Sequence, residues 1–154
     1  MLKRLMAVAA VSATLLLAGC GNDYGVDQHG QKIASERLDK QWKIINYWAE
    51  WCGPCRIEIP ELNSLEKQLQ GQSVGVFGVN FDGLQGKELS DASAALGITF
   101  TVLAQDPADV FDLPRSEALP VTYILDEKGK VRATLMGEQT AAGLLAKIKE
   151  LRGA

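Results

Sequence analysis

Two of the chain's three cysteines, Cys52 and Cys55, stand three positions apart in WAEWCGPCRIEIP, residues 48–60. That spacing fits a metal site, a structural crosslink or thiol-disulfide exchange. A structural zinc needs four ligands drawn from Cys and His. Beyond this pair the sequence supplies only His29 and, near its start, Cys20. A copper carrier built on two thiolates and a later histidine has no histidine after residue 29 to use. A static crosslink over so short a loop removes little unfolded-state entropy. The pair therefore reads as a redox-active disulfide, with no metal and no separate cofactor.

Pro54 suits the first turn of a helix, where an NH is not needed and proline's φ is already helical. Cys52 then lies at the positive end of the helix dipole, with free main-chain NH groups aimed at it, which favours the thiolate. Cys52 is expected to attack a substrate disulfide, and Cys55, one turn deeper, to attack the Cys52 sulfur and release reduced product. Run backwards, the same two residues oxidise a client. The motif states the reaction type and leaves its direction open.

The elements that position the pair follow from apolar spacing. KIINYW, residues 43–48, is a buried strand leading into the motif, with Tyr47 and Trp48 in the core. Behind it Cys55, Ile59, Leu62, Leu65 and Leu69 recur at 4, 3, 3 and 4, one face of a helix that stops near Gly71. VGVFGVN, residues 74–80, is apolar on both faces, as in a central parallel strand. Leu89, Ala92 and Leu96 before Gly97 mark a second helix, and FTVLAQD a short strand. PVTYILD and VRATLM, joined by Glu127 to Lys130, form a hairpin whose second arm has one solvated face. Leu144, Leu145, Ile148 and Leu151 share a stripe on a last helix. Upstream, His29-Gly30 reads as a tight turn and Ser35 as a cap on one helical turn. The order gives an α/β layer fold in one domain, residues 27–152.

The first nineteen residues differ: Lys3 and Arg4 precede a fourteen-residue apolar run from Leu5 to Ala18. A bilayer span takes about 20 apolar residues, so the run reads as an export signal, cleaved after residue 19. Leu17-Ala18-Gly19-Cys20 resembles the lipobox of bacterial lipoproteins, which implies acylation of Cys20 and leaves Cys52 and Cys55 as the remaining thiols. Residues 20–26 are then a lipidated start and a short tether with a reach of about 20 Å. The whole chain carries 16 basic and 19 acidic side chains, net -3; without residues 1–19 it would carry -5. No basic patch is available for nucleic acid or for electrostatic membrane adhesion, so attachment rests on acyl chains.

WCGPC with a strand before it and Pro60 after it resembles the thioredoxin superfamily, and NYWAEWCGPCRIEIPEL resembles its membrane-anchored TlpA/ResA-type thiol-disulfide oxidoreductases. The resemblance implies a thioredoxin-like fold, a central mixed sheet flanked by helices on both faces. It implies that Leu119-Pro120 is the cis-proline loop lying against the disulfide, with Trp51, Gly53 and Pro54 supporting the site and Pro60 bending the helix. Where thioredoxin has a buried aspartate this chain has Asn46, which cannot exchange a proton. Glu50 and Asp82 are the acidic residues from nearby loops expected to take that role. The resemblance further implies a monomer on the periplasmic side of a bacterial membrane. It implies clients with disulfides, apocytochrome c among them, and a membrane protein that donates thiol electrons. Gly-Pro between the cysteines, as in thioredoxin, favours reduction of clients. A peroxidase of the same fold and a non-catalytic binding lipoprotein remain as alternatives, and the membrane that holds the chain stays open.

Overall fold

The computed structural model describes residues 21–153. The expected export signal and the expected acylation site at Cys20 lie outside the described residues. Ten elements follow in order: α1 (Glu36–Asp39), β1 (Trp42–Trp48), α2 (Gly53–Gln68), β2 (Val74–Asn80), α3 (Gly86–Ala95), β3 (Thr101–Leu103), α4 (Ala108–Phe111), β4 (Val121–Leu125), β5 (Val131–Met136) and α5 (Ala141–Arg152).

The strands form one mixed sheet in the order β3-β2-β1-β4-β5. β1 pairs in parallel with β2 along its whole length and antiparallel with β4 from Lys43 to Tyr47, so it is the central strand. All seven residues of β1 and of β2 are buried, the polar Lys43, Asn46 and Asn80 among them. Alternation then sends Ile44 and Trp48 to a core shared with α2, α3 and α5, and Ile45 and Tyr47 to a second core under α1 and α4. Helices thus cover both faces, long ones on the first and single turns on the second. On β5, Arg132, Thr134 and Met136 are exposed and the residues between them half-buried, the solvated arm of the hairpin.

Glycine is required at Gly78. A Cβ there would stand 2.9 Å from the Phe100 ring and 3.0 Å from Trp48 Nε1, so β2 can pass beneath both rings only without a side chain. The turn at His29-Gly30 forms as expected, with Gly30 NH donating to the Asp27 carbonyl and φ at +75°. Ser35 precedes α1, but its hydroxyl makes no capping bond.

Residues 21–26 depart from the tether their small polar residues suggest. Asn22 NH donates to the Asp39 carboxylate, and the Tyr24 hydroxyl donates to the same group at 2.6 Å. The Tyr24 ring is buried and stacks on Phe111 at 5.8 Å between centroids. One large aromatic side chain suffices to dock the strand-like segment, whose Val26 also bridges to Lys32. The packed domain therefore begins before residue 27.

Candidate active site

The site lies where β1 ends and α2 begins. Cys52 and Cys55 are joined in a disulfide. Cys52 occupies the N-cap of α2 in extended conformation, and its sulfur accepts the Cys55 main-chain NH at 3.2 Å. Once the disulfide is reduced, that NH and the helix dipole stabilise a thiolate on Cys52, not on Cys55. Exposure has the same asymmetry: Cys52 retains 4% of its surface and Cys55 none. A Cβ on Gly53 would meet nothing within 4 Å, and Gly53 and Pro54 are both exposed beside Cys52. Pro54 sits in the first helical turn, and α2 continues through Pro60, which has no NH to give the Arg56 carbonyl.

The other residues expected at the site lie on three segments. The Leu119-Pro120 peptide is cis, with Leu119 half-buried and Pro120 buried ahead of β4. Trp51 is 65% exposed, yet it is held: Nε1 donates to both oxygens of Asp82, at 3.0 and 3.2 Å, and the ring meets Phe81 edge-on at 6.2 Å. Glu50 is exposed, and its carbonyl accepts two bonds from the Arg56 guanidinium, which pins the loop before Cys52. Asp82 is thus engaged with Trp51 at the surface, and no bond ties the Glu50 carboxylate to the cysteines. Among the described residues, no group of three His, Cys, Asp or Glu side chains is placed to hold a metal ion.

A third carboxyl, absent from the sequence reading, lies beneath the helix. Glu58 is 1% exposed. One turn after Cys55, it shares that residue's inward face. Its Oε1 accepts from Asn46 Nδ2 at 2.6 Å and its Oε2 from the Gln139 main-chain NH at 3.0 Å. Burial pushes the carboxyl up to about 7, against the lowering effect of the two donors, with Glu138 adding to the rise. The signal for this residue was an acid three positions after Cys55, on the stripe that otherwise carries Ile59 and Leu62.

The next turn repeats the tie, with Ala141 NH donating to Glu61 at 2.8 Å. The active-site helix is in this way fastened to the start of α5 by two carboxylates.

Comparison with known proteins agrees with this arrangement. The family model described as "AhpC/TSA family" matches residues 10–134. The chain belongs to that family. It is 30% identical over 118 residues to the thiol:disulfide interchange protein HelX of Rhodobacter capsulatus, covering 73% of this chain and 62% of HelX. To the thiol-disulfide oxidoreductase ResA of Bacillus subtilis it is 27% identical over 114 residues, covering 74% of this chain and 63% of ResA. The chain thus spans under two thirds of the length of either relative. Among solved structures, StoA from Bacillus subtilis superposes with a TM-score of 0.62 at 25% identity, covering 82% of this chain and 94% of StoA. A thioredoxin family protein from Chlorobium tepidum reaches 0.69 at 23% identity, covering 82% of this chain and 90% of its own. These structures share the thioredoxin-like fold expected from the motif.

Proposed function

We propose that the protein is an extracytoplasmic thiol-disulfide oxidoreductase that reduces disulfides in client proteins. The observation that carries this reading is the Cys52–Cys55 disulfide at the start of α2, with the outer sulfur at the N-cap and the inner one buried. In the reduced protein the Cys52 thiolate attacks one sulfur of a client disulfide. A mixed disulfide forms and the first client thiolate leaves. Cys55 gives its proton to the Glu58 carboxylate and attacks the Cys52 sulfur. The second client thiolate leaves, and two electrons have passed to the client. Glu58 suits this task better than Glu50 or Asp82, because it shares the helix face of Cys55 and its midpoint lies near neutrality.

The lipobox-like Leu17-Ala18-Gly19-Cys20 supports attachment by acyl chains on Cys20, facing the periplasm. In that oxidising compartment a reductase needs a supply of electrons, so a membrane thiol donor completes the cycle. Apocytochrome c, whose haem-binding cysteines must be reduced before attachment, is a fitting client class. No cofactor beyond the disulfide enters the scheme.

The test is a trap. A Cys55→Ala variant, expressed in the source cell, retains Cys52 but cannot resolve the mixed disulfide, so clients stay covalently attached and can be identified. Purified wild type should reduce an oxidised polypeptide, and Cys52→Ser should not. A wild type inert towards oxidised polypeptides, or one that turns over hydrogen peroxide instead, overturns the proposal.

A further inference from the structure

The thiol chemistry uses Glu58, but the residue that governs Glu58 lies on another element. Asn46 is fully buried near the end of β1, in register with Thr122 of β4. Its Nδ2 donates to Glu58 Oε1 at 2.6 Å and to Thr122 Oγ1 at 3.0 Å. Its Oδ1 is buried without any partner. An unmet buried acceptor costs stability, and an apolar side chain at this position would avoid that cost. The position therefore serves its two donor bonds. An aspartate of the same shape would put two carboxyls within hydrogen-bond distance and could not donate when ionised.

We propose that Asn46 is a positioning residue for the proton transfer from Cys55. Its amide and the Gln139 NH hold one carboxylate oxygen each and keep Glu58 ready to accept. The inference rests on Glu58 being the proton acceptor.

The amide also serves the other half of the cycle. After a half-turn about its terminal torsion, Oδ1 takes the place of Nδ2 and can accept from a protonated Glu58 and from the Thr122 hydroxyl. Asn46 thus partners Glu58 both with and without the proton. The titratable groups around Glu58 are Cys55 and Glu61 on its own helix and Glu138 in the loop before α5. β1 supplies the uncharged Asn46 to it, and β4 the uncharged Thr122 to Asn46.

The experiment follows the release of client from a preformed mixed disulfide on Cys52 as a function of pH. The wild type, Asn46→Ala, Asn46→Asp and Glu58→Gln proteins are compared. Loss of the donor in Asn46→Ala should move the midpoint up by about one unit. Release at pH 7 then falls about five-fold and recovers above pH 8, while attack by Cys52 keeps its rate. Asn46→Asp keeps the shape and should split the profile into two steps, the upper one above the wild-type midpoint, because two carboxyls then share a proton. Titration of the Glu58 carboxyl carbon by NMR in the oxidised proteins reads the same shift without turnover. Midpoints that stay in place in both Asn46 variants, while Glu58→Gln flattens the profile, overturn the role of Asn46 alone. A profile unchanged in Glu58→Gln overturns the acceptor reading beneath it.

Discussion

Replacing Glu58 by glutamine removes an ionisation that burial opposes, and the effect can be measured on the oxidised protein, where neither active-site sulfur titrates. The carboxyl sits near 4.5 in the unfolded chain and about 7 in the fold. The folded state therefore holds a proton that the unfolded state has lost between those values. Stability from this group is fully present below about pH 4.5, and it is lost as pH rises through about 7. Linkage over that interval makes the wild type about 2.5 kcal/mol less stable at pH 8 than at pH 5 through Glu58 alone. Glutamine fits the same space. Turning the Asn46 amide so that its unpartnered Oδ1 faces the new NH2 leaves the Gln139 NH still paired with the glutamine oxygen. Urea unfolding of oxidised wild type and Glu58→Gln at pH 5, 6, 7 and 8 should show the two stability curves converging at acid pH and parting by about 2 to 3 kcal/mol at pH 8, in favour of the variant. Curves that run parallel within about 0.5 kcal/mol would mean that Glu58 ionises in the fold as it does in water, and the proton-acceptor argument would fail with it.

Other perturbations test other parts of the structure. Tyr24→Ala should cost about 3 kcal/mol in denaturant unfolding, since it removes a buried ring and a bond to a carboxylate; a free tether would show no change. Gly78→Ala forces a methyl against Phe100 and Trp48 and should destabilise by about 1 to 3 kcal/mol in the same assay. Asp82→Ala frees the Trp51 indole at the surface. Stability should stay within about 0.5 kcal/mol and the pH midpoint of client release should not move, while the Trp51 fluorescence changes. A moved midpoint would return Asp82 to the proton-transfer role.

Much of the scaffold could be read locally. β1, β2, α2 and the hairpin arms lie within a few residues of the runs and stripes that announced them, because strand and helix periods repeat over a handful of positions. α4 has no such signal: a four-residue turn presents too little of a period to stand out from loop. The packing of the N-terminal segment is hidden in the sequence for a related reason. GNDYGV looks like a linker by composition, and only the presence of Phe111 and Asp39 beside Tyr24 turns it into part of the core.

The chemistry divides along the same line. Three positions and one proline are enough to mark Cys52 and Cys55 as a pair suited to thiol-disulfide exchange at the head of a helix, and an asparagine at position 46 leaves no titratable side chain there. The surroundings of Glu58, the proposed proton acceptor, are legible only in the fold. Asn46 and Gln139 reach Glu58 across separations of 12 and 81 residues, and Thr122 reaches Asn46 across 76. A carboxyl's affinity for its proton depends on the water removed around it and the donors left facing it. Both are set by segments that meet only when the sheet closes over the helix.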